Sequence, residues 1–221
     1  MSDRQVPFVE GEYFHVFNRG NSKQDIFKSV HDYNRFMLLL YLANDTTKYQ
    51  MRDVVRSDDD PFKIKRDREI VDIHAYCLMP NHYHLVLSSK IENGITRFMQ
   101  KLGTGYSMYF NRKYERSGSL FEGKFKAKHA DTDEYLKYLF SYIHMNPLAL
   151  KDEVILDGIY RNTEKEFKFL TDYQYSSLFN YMDKNRPQSS ILDTQLYRSY
   201  LGTTAGVKKE LWDWLQYEYA M

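Results

Sequence analysis

Along the first two thirds of the chain the apolar positions switch between a two-residue and a helical period. Tyr13-Phe14-His15-Val16-Phe17 is short, aromatic and β-branched, and Asn18-Arg19-Gly20-Asn21 closes it, which predicts a strand followed by a turn. Asp32 to Ala43 has good helix formers, no Gly or Pro, and Phe36, Leu39, Leu40 and Ala43 at helical spacing. Residues 45–70 are polar and charged around Ser57-Asp58-Asp59-Asp60-Pro61 and read as a mobile insertion with at most short local structure. Val71–Leu78 and His82–Ser88 are strand patterns separated by Met79-Pro80-Asn81, an antiparallel hairpin with a tight connection.

Gly94 to Tyr114 predicts a helix that Gly103 and Gly105 weaken, by up to ~1 kcal/mol each, in exchange for close approach of another backbone. Gly123 to His129 alternates Phe125 and Ala127 with Lys124, Lys126 and Lys128, the pattern of a half-buried strand with one basic face. Asp131-Thr132-Asp133 supplies an N-cap for a helix from Glu134 to Asn146 that stops at Pro147. The order β-α-β-β-α-β-α matches, in its first six elements, the ferredoxin-like split βαβ arrangement, an α+β fold with an antiparallel sheet. Beyond residue 150, Phe167–Leu170, Tyr173–Met182 and Val207–Tyr219 look helical. The expected organisation is therefore a core domain over 1–150 and a helical extension over 151–221 packed on it.

The 221 residues, 43% hydrophobic and 28% charged, exclude a mostly disordered chain, and a chain of this length needs no disulfide to complete its core. The single cysteine, Cys77, excludes an intramolecular disulfide and a Cys-based zinc site. No apolar run approaches the ~20 residues that span a bilayer, and the first residues carry no apolar signal-like stretch. The expectation is a soluble, non-exported protein without a membrane partner, in the cytoplasm. The net charge of +1 conceals an asymmetry: residues 97–129 hold eight Lys and Arg against two Glu, a local net of +6. Together with 20 Tyr, such a stripe has the ingredients of single-strand binding, backbone charge and base stacking.

Two constellations can carry chemistry. His82 and His84, two apart on a strand, point to one face, so both imidazoles can converge on one cation while Tyr83 faces the other way. For a bare His-x-His the commoner situation is one exposed histidine beside one bonded to a backbone carbonyl. Tyr142 and Asn146 share a helical face at i and i+4 and can serve as nucleophile and metal ligand. Taken alone they fit better as a helical core stripe, Tyr142 with Tyr135, Tyr138 and Leu139, and a C-terminal cap, Asn146 before Pro147.

Together the segments are recognisable. GEYFHVFNRGNSKQDIF (11–27), AYCLMPNHYHLVL (75–87), GITRFMQKLGTGYSMYFNRKYERSGSLFEGKFKA (94–127), DEYLKYLFSYIHMNP (133–147) and YQYSS (173–177) resemble, in order, the REP-associated tyrosine transposases, a branch of the single-tyrosine HUH transposases. The resemblance implies a metal-dependent endonuclease and strand transferase acting on single-stranded, hairpin-forming DNA. It assigns the two histidines of the HUH motif to His82 and His84, the nucleophile to Tyr142 and the third metal ligand to Asn146. Mg²⁺ or Mn²⁺ suits two imidazoles and an amide oxygen, since all three ligands are neutral and the cation keeps its charge for a scissile phosphate. Attack by the phenolate gives a 5′-phosphotyrosine and frees a 3′-OH. Arg19, Lys101, Arg112, Lys113, Lys124 and Lys126 are the candidate phosphate contacts, which position DNA without reading its sequence. Glu122 and Asp72 are candidates for supporting the cation, whereas His15 and His74 read as structural and His144 as DNA-facing or a polar core group. The family has both monomeric and homodimeric active sites, and a nucleoid-associated, cytoplasmic enzyme follows. Two other readings share these residues: an HUH nuclease that nicks and rejoins without mobilising DNA, and a non-catalytic hairpin-binding regulator.

Overall fold

The computed structural model describes residues 7–47, 54, 60–151 and 163–217; the centre of the charged insertion, the start of the extension and residues 218–219 of the expected last helix lie outside it. Strands β1 (Tyr13–Arg19), β2 (Val71–Met79), β3 (His82–Ser89) and β4 (Lys126–Ala130) form one antiparallel sheet in the order β2-β3-β1-β4. Helices α1 (Val30–Leu42) and α2 (Gly94–Lys113) occupy the two crossover positions, which completes the split βαβ arrangement expected from the pattern.

Strand alternation divides the core into two layers. Val16, Tyr83, Leu85 and Leu87 face Phe36, Leu40, Phe98, Leu102 and Tyr106 of α1 and α2. Ala75, Cys77 and Val86 face Leu136, Leu139, Phe140 and Ile143 of α3 (Asp133–Met145). The second layer also holds Leu170 of α4 (Thr163–Asp172), Leu178 and Tyr181 of α5 (Leu178–Tyr181), Tyr197 of α6 (Gln195–Leu201) and Val207, Leu211 and Leu215 of α7 (Thr204–Tyr217).

The extension does more than pack. β2 lies at the edge of the sheet, where unpaired backbone groups invite association. The stretch around Tyr173–Ser177 covers that edge. Leu78 N–H donates to the Tyr175 carbonyl, Ser177 N–H to the Tyr76 carbonyl, and Asp193 N–H to the Ile73 carbonyl, each at 2.9–3.0 Å. Tyr173 and Tyr181 hydroxyls donate to the Leu78 and His74 carbonyls at 2.6 and 2.7 Å. Arg186 pins the covering stretch by donating to Tyr76 Oη at 2.8 Å and to the Ser176 carbonyl at 2.9 Å. His144 belongs here too: fully buried and 2.7 Å from Ser177 Oγ, it is a polar group of the core.

Three expectations are corrected. The described part of the insertion is held, not loose: the Asn44 amide oxygen accepts from Ile70 and Val71 N–H at 2.9 and 3.0 Å, Tyr41 Oη donates to the Ile64 carbonyl at 2.8 Å, and Ile70 is fully buried. Gly103 meets no neighbour: a Cβ there would have nothing within 4 Å. The close approach is at Gly94, where a Cβ would lie 2.3 Å from the Ile70 carbonyl oxygen. Finally, α1 begins at Val30, because the Asp32 carboxylate accepts from the Lys28 and Ser29 N–H groups at 2.9 Å and caps the helix.

Asp32 also joins α1 to α2. It is fully buried and takes bonds from Lys113 Nζ at 2.7 Å, Tyr114 Oη at 2.7 Å and Tyr109 Oη at 3.0 Å. Burial pushes its carboxyl up, but the bonds from Lys113, Tyr114, Lys28 N–H and Tyr109 outweigh that and hold it at about 2. A carboxyl depressed in the folded state stabilises above its unfolded value and loses that contribution as pH falls through the folded one. About 2 kcal/mol is thus expected to disappear between about pH 4 and pH 2. Asp32→Ala should cost about 2–4 kcal/mol in urea unfolding at pH 7 and flatten the acid limb of stability. An unchanged acid limb in that variant would assign the pH dependence to other carboxylates.

Candidate functional site

The β2–β3 hairpin turns through Pro80 and Asn81, and the loop after β1 fixes that turn in space. Gly20 N–H donates to the Asn81 carbonyl, and Ile26 and Phe27 N–H donate to the Pro80 carbonyl, at 2.8–2.9 Å. Gly20 is required for this, since a Cβ there would meet the Gln24 carbonyl oxygen at 2.1 Å. From this turn β3 projects His82 and His84 onto the face that α3 covers, while Tyr83, 2% exposed, packs against Phe36 and Phe121 on the opposite face.

α3 brings the other pair. Its Thr132 Oγ1 accepts from Tyr135 N–H at 3.1 Å, as the N-cap reading requires, and Pro147 follows the C-cap residue Asn146. Tyr142 places its ring edge-on to His84, with centroids 5.6 Å apart. Asn146 Nδ2 donates to the Tyr142 carbonyl at 2.7 Å. The capping reading holds: the amide nitrogen closes the helix end, and the side chain lies close enough to His82 to act on its ring. Tyr142 does not join a core stripe. It is 39% exposed and stacks on Tyr138, which stacks on Tyr135 along the outside of the helix.

Each histidine has its Nδ1 engaged by a neighbouring side chain. His82 Nδ1 lies 2.6 Å from Asn81 Oδ1, an atom that can only accept, so Nδ1 carries the proton and Nε2 keeps its lone pair. His84 Nδ1 lies 2.8 Å from His15 Nε2. His15 is thus part of the site, 69 residues from His84 in sequence, and its ring is edge-on to Tyr142 at 6.0 Å. The sequence alone gives His15 a structural reading; the pairing of β1 with β3 brings it to the site.

Burial lowers all three imidazoles. His15 falls to about 4, with Lys128 adding to the effect. His84 falls well below its ordinary value, with His15 and His82 adding. His82 falls despite the raising bond from Asn146. At neutral pH all three rings are uncharged, the state in which an imidazole can ligate a cation.

A cleft of about 390 Å³ opens here, lined among others by Arg19, His82, His84, Glu122, Lys126 and Tyr142. Arg19 forms a two-pronged pair with Glu122, Nε to Oε1 at 2.8 Å and Nη2 to Oε2 at 3.0 Å. Lys126 and Lys128 are exposed on the histidine face of β4, with Lys128 opposite His15, while Lys124 is exposed just before the strand. The remaining basic candidates lie elsewhere. Lys101, Arg112 and Lys113 are on α2, behind the sheet. Lys101 donates to the Asp45 and Thr47 carbonyls and Lys113 is paired with Asp32, whereas Arg112 is exposed. Asp72 pairs with Lys90 at the far end of the hairpin and is not near the histidines. Among the described residues no three His, Cys, Asp or Glu side chains form a metal-holding group.

A ferredoxin-like sheet that presents two histidines to a tyrosine and an asparagine, one turn apart on a covering helix, resembles the HUH class of DNA-acting proteins. More narrowly, residues 59–146, which contain His82, His84, Tyr142 and Asn146, match the family model of the IS200-like transposases. The resemblance to the REP-associated tyrosine transposases is borne out at the level of fold as well. A solved REP-associated tyrosine transposase bound to a REP hairpin superposes with a TM-score of 0.52 over 85% of this chain and 90% of that one, at 11% identity. No curated protein matches the sequence. No described helix is long and apolar enough to cross a membrane.

Proposed function

We propose that this chain is a metal-dependent single-stranded DNA endonuclease and strand transferase that cuts hairpin-bearing DNA through a 5′-phosphotyrosine. The observation that carries the reading is the convergence of four side chains from two elements: Tyr142 edge-on to His84, and Asn146, one helical turn on, beside His82. The donor set fits a divalent cation: two neutral imidazoles, each with Nδ1 engaged by a neighbour and Nε2 not part of that contact, and the Asn146 amide at the helix end. His82, His84 and Asn146 would hold Mg²⁺ or Mn²⁺, which when bound polarises a scissile phosphate and offsets its growing charge.

The side chains supply the rest. Tyr142 loses its phenolic proton to water and attacks phosphorus through the phenolate oxygen; the P–O3′ bond breaks, and the 3′-oxygen leaves and takes up a proton from water. Because the ester conserves the bond, a second 3′-OH can reverse the step without ATP. Lys126 and Lys128, exposed on the same face, are placed to hold flanking phosphates, and Arg19 can join them by exchanging Glu122 for a phosphate. Lys124 remains a candidate contact beside them; Lys101, Arg112 and Lys113 would have to meet DNA that wraps behind the sheet. The REP hairpin on the similar solved structure supports hairpin DNA as the substrate class. We place the enzyme in the cytoplasm, with the nucleoid, as a monomer or homodimer.

The test is a denaturing gel of labelled single-stranded hairpin DNA. With Mn²⁺ the protein should form a covalent adduct that EDTA prevents and added Mn²⁺ restores. Hairpin binding with no adduct at any metal concentration would favour a non-catalytic regulator. An adduct with cleavage and rejoining, but no transfer to a second strand, would favour a nicking nuclease.

A further inference from the structure

We infer that His15 is a positioning residue that holds His84 in the tautomer able to ligate a cation, an inference that rests on the proposed metal-dependent reading. His84 Nδ1 and His15 Nε2 are 2.8 Å apart, and both residues are buried, 7% and 5% exposed. In such a pair one nitrogen must carry the proton and the other must accept it. If His84 donates, its Nδ1 is protonated and its Nε2 lone pair is free. If His15 donates from Nε2, the neutral His84 carries its proton on Nε2 and cannot ligate. The same requirement is met for His82 by Asn81 Oδ1, which cannot donate and is steadied by Asn81 Nδ2 on the Lys23 carbonyl at 3.4 Å. His15 occupies the matching place for His84, on the neighbouring strand rather than in the turn. Its ring, stacked against His84 with centroids 5.0 Å apart, also fixes the direction in which the His84 ring points. His15 Nε2 is engaged by His84, so the residue acts through His84 and not on DNA.

The geometry calls for an acceptor at the Nε2 position of residue 15, and two polar variants separate position from polarity. In His15→Gln the side-chain oxygen reaches where Nε2 lies and accepts from His84 Nδ1–H. In His15→Asn the oxygen stops one bond short, near the place of Nδ1, and His15→Phe offers a ring with no acceptor. Two measurements on the full chain read the effect. Nitrogen-15 long-range NMR of the metal-free protein should give the Nδ1–H tautomer for His84 in the unaltered protein and in His15→Gln, and the Nε2–H tautomer in His15→Asn and His15→Phe. Mn²⁺ binding followed by electron paramagnetic resonance should weaken about 10–100-fold in His15→Asn and His15→Phe, the range seen when the partner of a ligating histidine is removed. His15→Gln should recover most of it. Equal Mn²⁺ affinity in the Asn and Gln variants, or an Nε2–H tautomer for His84 in the unaltered protein, would overturn the assignment while leaving the metal reading intact. If the unaltered protein binds no Mn²⁺ and forms no DNA adduct, the metal reading falls first and the role of His15 falls with it.

Discussion

Tyr142→Phe is expected to eliminate the covalent adduct with cleaved DNA, and Tyr138→Phe to keep it. The two tyrosines lie one turn apart, are exposed to nearly the same degree, 39% and 38%, and stack on each other, so periodicity and exposure do not choose between them. Their other neighbours do. The Tyr142 ring meets His84 and His15 at 5.6 and 6.0 Å, whereas the Tyr138 ring meets Tyr135 and Trp214. Only Tyr142 has Asn146 one turn further on, at the helix end beside His82. The substitution removes one oxygen from an exposed ring, so folding should change by no more than about 0.5 kcal/mol. Loss of the adduct in a folded protein then reports chemistry. The measurement is the denaturing gel with Mn²⁺; an adduct that survives in Tyr142→Phe and vanishes in Tyr138→Phe would move the nucleophile back one turn and remove the case for Asn146.

His82→Ala and His84→Ala are each expected to abolish cleavage while leaving most of the hairpin affinity. Cleavage needs charge offset at one phosphate, which neither remaining ligand set can hold in place, whereas binding is spread over many backbone phosphates. Binding should therefore fall with salt, with a slope of about −0.7 per phosphate neutralised, and the slope should match that of the unaltered protein. The two variants should differ in stability. His82 is half-buried, and its removal returns Asn81 to water, while His84 is buried and its loss strands the His15 nitrogen. His82→Ala is accordingly the cleaner test, and normal Mn²⁺-dependent cleavage by it would sink the site assignment.

What could be read from the chain was whatever is local. The His82–His84 face follows from strand alternation, the Tyr142–Asn146 face from helical spacing, and the hairpin from Pro80 and Asn81, all within a few residues. The basic face of β4 was legible in the same way, although the strand begins at Lys126 and leaves Lys124 outside it. What stayed hidden was set by partners far apart in sequence. His15 enters the site only through the pairing of β1 with β3, and Lys113 became a core ion-pair partner only because α2 packs beside Asp32 of α1. The charged composition of the described end of the insertion suggests a loose segment, yet Asn44, Asp45 and Tyr41 claim its backbone groups and dock it. Composition reports what a segment can solvate, not which backbone groups a distant side chain will claim.

The covering of the β2 edge also has a consequence in time. Tyr76 and the Ser177 that meets it are 101 residues apart, so during synthesis the strand exists long before its cover does. At about 5–20 residues per second a ribosome needs roughly 5–20 s to cross that interval. Through it, the strand neighbouring the histidine strand carries an open row of backbone donors and acceptors. The nascent chain is then most exposed to pairing with another copy, and slowing translation between residues 80 and 177 should increase aggregation without changing any contact of the finished protein.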